Sequence, residues 1–128
     1  MRTVLVIEDN KDNLKLLAYA LRRAGYNVIA AESGEEGFEM AIRERPLFIL
    51  MDINLPGMDG LETTKRIRSS GLDGTIPIIA ITSYAMSGDR ERILAAGCNG
   101  YFEKPIDPIT IVEQIQGVLH AMLKDNEP

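Results

Sequence analysis

The chain has 128 residues, 45% hydrophobic and 26% charged, with a formal net charge of −5. That composition suits one soluble domain with a real core. The acid excess disfavours a nucleic-acid surface, which needs a basic face, and no apolar stretch approaches the length of a membrane span. The lone cysteine, Cys98, has no partner for an internal disulfide, so a reducing cytoplasmic compartment is expected. Nothing at the N-terminus reads as a signal peptide, because a short apolar run after Arg2 ends at Glu8-Asp9. The Met start and the polar tail 124–128 read as a complete chain with a frayed end.

Thr3 to Ile7 is a β-branched run and predicts a buried strand. From Asp12 to Ala24, apolar residues recur at helical spacing, and Gly25 closes that helix. Tyr26 to Ala31 predicts a second strand. Ser33 with Glu36 reads as a capping box for a helix reaching about Arg45, stopped by Pro46. Leu47 to Asp52 predicts a third strand, buried on both faces because its apolar run is unbroken. Leu61 to Ser70 predicts a helix, and 76–81 a fourth strand ending at Thr82-Ser83, with Pro77 tolerated near its start. A helix from about Ser87 to Ala96 and a short strand, Asn99 to Phe102, follow. Asp107-Pro108 is expected to open the last helix, reaching about Lys124, with Ile109, Ile111, Val112 and Ile115 on its apolar side. Alternation of five strands with five helices implies an α/β three-layer sandwich around a parallel sheet. At this length the flavodoxin-like order 2-1-3-4-5 is expected.

In a parallel sheet all the carboxyl ends lie on one edge, where ligands of such folds bind. The first strand delivers Glu8 and Asp9 there, the third Asp52, the fourth Thr82 and the fifth Lys104. In the 2-1-3-4-5 order the first and third strands are neighbours, so Glu8, Asp9 and Asp52 meet. Clustered carboxylates with no His or Cys nearby call for a hard cation, Mg²⁺ with Mn²⁺ or Ca²⁺ as substitutes. Mg²⁺ commonly takes a phosphate as a further ligand, and a carboxylate is a competent nucleophile on phosphorus. Lys104 would then neutralise phosphoryl charge and Thr82 donate a hydrogen bond to it. Each residue has a blander alternative. Asp52 and Thr82 are also turn formers, Asp9 a helix cap and Lys104 a solvated lysine. Their convergence on one edge favours the joint chemical reading.

These features together resemble a two-component response-regulator receiver domain of the CheY-like family. The match spans about residues 2 to 121. It rests on Glu8-Asp9, the run from Met51-Asp52 through Pro56-Gly57 to Asp59-Gly60, Thr82-Ser83, and Tyr101 to Pro105. Within the family, Glu8 to Asn13 and Ala80 to Asp89 are similar to cell-division regulators of the DivK type, and also to receivers of hybrid kinases. The resemblance implies that Asp52 accepts phosphate from a histidine kinase or histidine phosphotransfer protein. It implies Mg²⁺ at Asp9, Asp52 and the carbonyl of Asn54, with Glu8 acting through a water. It implies that Thr82 and Tyr101 are a switch pair, that Lys104 contacts the phosphoryl group, and that the Lys104-Pro105 bond is cis. The expected protein is a bacterial, cytoplasmic, stand-alone phosphoprotein, monomeric or weakly dimeric. It signals through the face formed by the fourth helix, fifth strand and fifth helix.

Met86, Ile93 and Ile106 are candidates for that responsive face. His120 reads as a solvated histidine and Cys98 as a small buried apolar residue. The Arg and Lys residues of the first and third helices read as solvated faces. Two other classes compete. A Mg²⁺-dependent aspartyl-phosphate phosphatase would want its nucleophile after the first strand and a general acid where Asn54 stands. A phosphorylation-independent interaction module would have no need of Asp52, Thr82 and Lys104 together. A nucleotide-binding flavodoxin-like domain lacks its glycine-rich loop after the first strand.

Overall fold

Strands and helices alternate along the whole chain in the computed structural model, which describes residues 2–71, 76–83 and 89–125. The strands are β1 (Thr3–Ile7), β2 (Asn27–Ala31), β3 (Ile49–Asp52), β4 (Ile78–Thr82) and β5 (Gly100–Glu103). The helices between and after them are α1 (Lys11–Arg23), α2 (Gly34–Glu44), α3 (Gly60–Ser69), α4 (Asp89–Ala96) and α5 (Ile111–Asp125). The sheet runs β2-β1-β3-β4-β5 with every pairing parallel. This is the flavodoxin-like order that the alternation implied.

Side chains alternate across each strand, and each set meets a different helical layer. Val4, Val6, Leu50, Ile79 and Ile81 pack with Leu17 and Leu21 of α1 and with Ile111 and Ile115 of α5. Leu5, Ile7, Ile49, Met51, Ile78 and Ala80 pack with Ala41 of α2, Ile67 of α3 and Ile93 of α4. Both faces of the sheet are therefore covered, which is why its central strands read as unbroken apolar runs.

Several boundaries differ from the sequence expectation. β3 begins at Ile49, because Leu47 is 51% exposed while its N–H bonds Thr3 O at the sheet margin. β4 begins at Ile78, beyond Pro77. α5 begins at Ile111, three residues after Pro108. Asp107 instead folds a turn, its side chain accepting from the Ile109 N–H at 2.9 Å. Ile109 consequently stands 83% exposed, outside the apolar face of that helix. α2 ends at Glu44 with Arg45 left-handed at φ 46°, just before Pro46. Ser33 caps α2 by accepting from the Glu36 N–H at 3.1 Å, one half of the expected capping box. Ile93 is 2% exposed and belongs to the core rather than to a responsive surface. Met86 and the expected start of α4 at Ser87 lie outside the described residues. His120 is exposed and Cys98 buried, as their types suggested.

Arg68 of α3 is not part of a solvated face. Its guanidinium donates to Gly97 O at 3.0 and 2.9 Å, to Ile76 O at 2.8 Å and to Asn99 Oδ1 at 2.8 Å. Asn99 Oδ1 also accepts from the Ile78 N–H. One side chain thus ties the end of α3 to the entry of β4 and to the α4–β5 corner. Gly97 at that corner has φ 114°, and a Cβ there would meet Arg68 Cγ at 2.8 Å. Burial of the guanidinium lowers its pKa from the usual arginine value. Arg68→Ala should lower the unfolding free energy by about 2 to 3 kcal/mol. Urea unfolding measures this, and Arg68→Lys, lacking the fork, should recover only a minor part.

Candidate functional site

Asp52 is the last residue of β3, and its carboxylate is held at both oxygens. Oδ1 accepts the Asn54 backbone N–H at 2.9 Å, and Oδ2 lies 3.2 Å from Lys104 Nζ. The turn-forming bond of Asp52 is present, and it orients the carboxylate while leaving its remaining lone pairs available. Glu8 follows β1, one strand away. Its Oε1 lies 3.3 Å from the same Lys104 Nζ. Lys104 reaches this position from just beyond β5, and the Lys104-Pro105 bond is cis.

Asp9 completes the group. Glu8, Asp9 and Asp52 each present a carboxylate oxygen within 4.8 Å of the others. Glu8 and Asp52 are buried, whereas Asp9 is exposed. Among the described residues no donor meets either buried Glu8 oxygen in full hydrogen-bond geometry, although Lys104 lies near Oε1. Buried carboxylate oxygens without donors are costly. A donor set made only of oxygens, tightly spaced and incompletely satisfied, fits a hard divalent cation.

The electrostatics follow from that crowding. Burial pushes the Glu8 carboxyl up, and the hydrogen-bonding contact with Asp52 and its negative charge push it further. The pKa stands at about 7 despite the opposing Lys104. For Asp52, burial also pushes upward, but Glu8, the Asn54 N–H and Lys104 outweigh it and hold the carboxyl below its ordinary value. Burial alone would lower the Lys104 pKa, yet Asp52 and Glu8 together raise it above the ordinary lysine value. Without a cation, the pair near neutral pH is an ionised Asp52 beside a Glu8 that carries a proton part of the time.

Thr82 ends β4 and is 1% exposed. It borders a cavity of about 460 Å³ whose walls include Asn54, Leu55, Arg92 and Ile93. In the sequence the Asn54 side chain counts only against a general acid at that position. Its Oδ1 accepts the Ser83 N–H at 3.3 Å and links the β3–α3 loop to the end of β4. Only the spatial adjacency of β3 and β4 reveals that bond. Tyr101 pairs with Ala80 in the β4–β5 register and is half-buried against the cluster that contains Ile93. Alternation therefore places Tyr101 and Thr82 on the same face of adjacent strands, the face that α4 covers. The guanidinium of Arg90 lies 6.0 Å from the Tyr101 ring centre.

The raised Glu8 pKa has a measurable consequence. Between pH 4.5 and about 7, folded Glu8 retains a proton that the unfolded chain has lost. Its contribution to stability therefore declines as pH rises through that window, by on the order of 3 kcal/mol in all. Asp52 acts in the opposite sense, but below its ordinary value of 3.8 and so outside the window. Urea unfolding in EDTA from pH 4.5 to 8 should show the decline, and Glu8→Gln should flatten most of it.

With this geometry established, the similarities to known proteins are informative. The family model of the response regulator receiver domain matches residues 4–116. The polar-differentiation response regulator DivK of Brucella anthropi is 41% identical over 118 residues, covering 92% of this chain and 96% of that protein. The chemotaxis protein CheY4 of Vibrio cholerae superposes with a TM-score of 0.87 at 30% identity, over 92% of this chain and 98% of that one. The receiver domain of the sensor histidine kinase PA1611 from Pseudomonas aeruginosa superposes with a TM-score of 0.84 at 36% identity. It covers 93% of this chain and 98% of that domain, and has a magnesium ion coordinated in its active-site cleft. The chain belongs to the response regulator receiver family and is a signalling protein of the phosphorelay type.

Proposed function

We propose that Asp52 accepts a phosphoryl group from the phosphohistidine of a histidine kinase or a histidine phosphotransfer protein. The observation that supports this most directly is the meeting of Glu8, Asp9, Asp52 and Lys104 at one sheet edge. In this reading Glu8, Asp9, Asp52 and the Asn54 carbonyl hold Mg²⁺, with Mn²⁺ a workable substitute. When bound, the cation supplies positive charge against the phosphoryl oxygens.

An Asp52 side-chain oxygen forms a bond to phosphorus as the phosphorus–nitrogen bond of the donor breaks. The electron pair of that bond returns to the imidazole nitrogen, leaving an acyl phosphate on Asp52 and a free donor histidine. The Asn54 N–H keeps the carboxylate oriented for this approach. Lys104, already 3.2 Å from Asp52 Oδ2, would turn its charge toward the incoming phosphoryl oxygens. The low Asp52 pKa keeps the nucleophile ionised. Hydrolysis by water would later return the carboxylate and release phosphate.

Output in this reading begins at Thr82. Its hydroxyl would donate to a phosphoryl oxygen, and Tyr101, on the same sheet face, would shift in response. Such a switch is a population shift, limited by the difference in phosphoryl contacts between the two states. The surface of α4, β5 and α5 would then bind a downstream protein. Half-exposed Leu94 and the Arg90–Tyr101 contact lie at that surface. We read residues 1–128 as one receiver domain with its core over 2–121, since one sheet carries both apolar clusters. Among the described residues no helix is long and apolar enough to cross a membrane. A cytoplasmic, monomeric or weakly dimeric protein is the form in which we expect this chemistry.

Intact mass after incubation with acetyl phosphate tests the reading. Wild-type protein should gain one phosphoryl group with Mg²⁺ and none in EDTA, and Asp52→Asn should gain none in either. No adduct from acetyl phosphate or from a panel of phosphorylated histidine kinases, with no Mg²⁺ binding by calorimetry, would refute it.

A further inference from the structure

Gly34 opens α2 and lies eighteen residues before Asp52, on a helix that contributes nothing to the carboxylate cluster. Nothing local calls for glycine there. Its φ is not left-handed, and the first position of a helix accepts almost any residue. The reason is tertiary. A Cβ on Gly34 would stand 2.5 Å from the Met58 carbonyl oxygen and 3.3 Å from Met58 Cβ, and would collide with Thr63 Oγ1. Met58 belongs to the β3–α3 loop, residues 53–59, which carries Asn54.

That loop is held at both ends. Asn54 N–H bonds Asp52 Oδ1, and Gly60 N–H bonds Ile53 O at 3.1 Å. Leu55 is buried beneath it. Thr63 Oγ1 donates to Asp59 O at 2.8 Å, and Asp59 Oδ1 accepts from the Glu62 N–H. The Gly60 Cα itself sits on the β3 exit, since a Cβ there would meet the Asp52 carbonyl oxygen and stand 2.7 Å from Ile53 Cα. Pressure on the Met58 carbonyl thus falls on a short loop tethered at both ends, with Asn54 four residues away.

We propose that Gly34 is a positioning residue for the cation site: its missing side chain lets α2 seat the β3–α3 loop so that the Asn54 carbonyl reaches the cation beside Asp9 and Asp52. This rests on the metal reading of the preceding section. Gly37, one turn along the same helix, supplies the comparison. A Cβ there would run into the Ile7 side chain, with Cγ1 at 2.7 Å, and its nearest neighbours are all atoms of that side chain. Gly37 lies inside the helix, where alanine is favoured over glycine, whereas Gly34 at the first helical position carries less of that cost. Only the one at 34 pushes on the loop.

The experiment compares wild type, Gly34→Ala and Gly37→Ala as full chains. Mg²⁺ affinity is read by titration calorimetry, loop 53–59 by amide chemical shifts, and stability by urea unfolding. Gly34→Ala should weaken Mg²⁺ binding by about tenfold or more and shift the loop amides. Gly37→Ala, whatever its stability, should hold Mg²⁺ within about twofold of wild type, since it meets the outer carbons of the Ile7 side chain rather than a backbone carbonyl of the loop that carries Asn54. Should Gly34→Ala not fold, the double variant Gly34→Ala/Thr63→Ala removes one of its two collisions and is measured against Thr63→Ala alone. A folded variant at position 34 that binds Mg²⁺ like its reference, or equal weakening by Gly37→Ala, overturns the proposal. A wild type that binds no Mg²⁺ overturns the metal reading on which the proposal stands, and that result is separate because it precedes any comparison of variants.

Discussion

One ammonium group serves two buried carboxylates in this protein, and much of the site's behaviour follows from that arithmetic. Lys104 lies 3.3 Å from Glu8 and 3.2 Å from Asp52. A single positive charge does not balance three neighbouring acids, of which two are shielded from water. The molecule absorbs the imbalance by raising the pKa of Glu8 and depressing that of Asp52. The result is a polarised pair, with the ionised member at the end of the central strand. A dication at the same place would complete the charge balance and release the proton from Glu8.

The fold makes that concentration of charge tolerable. Parallel strands put every carboxyl end on one edge, while both faces of the sheet are sealed by helices. Glu8, Asp52 and Thr82 are therefore buried without intruding on the apolar clusters. The opposite edge has its own polar anchor in Arg68, which joins α3, β4 and the α4–β5 corner. The end of α4 is thus pinned far from the carboxylates, and the start of that helix lies toward the Thr82 side. A helix fixed at one end and bordered by a cavity at the other is well placed to respond to a change near Thr82.

The β3–α3 loop belongs to neither layer, yet it carries the backbone N–H that bonds the Asp52 carboxylate. Its own turn residues and its contacts with α2 and α3 both bear on its conformation. Gly57 does supply a left-handed position at φ 70°, as its place in the turn suggested. The loop's location, though, depends on Gly34, Gly60 and the buried Leu55.

What the sequence by itself determined is the order of elements and the identity of the residues at the strand ends. Apolar runs of four or five residues ending in Asp52 or Thr82 are local patterns, and a parallel sheet converts each run's end into a site position without further information. The family resemblance carried Asn54 and Tyr101 in the same way, position by position. Tertiary structure alone decided the rest. Arg68 looked like any arginine on a polar helix, because its acceptors are carbonyls and an amide distant in sequence or defined by a corner. The regular part of α5 starts at Ile111, after a turn in which the Asp107 side chain accepts the Ile109 N–H and its carbonyl the Ile111 N–H. The proton shared around Glu8, and the absence of room for a methyl at Gly34, arise from groups brought together across the sheet or between helices. Neither crowding of charge nor crowding of atoms has a local signature. Both depend on distances that exist only after the chain has folded.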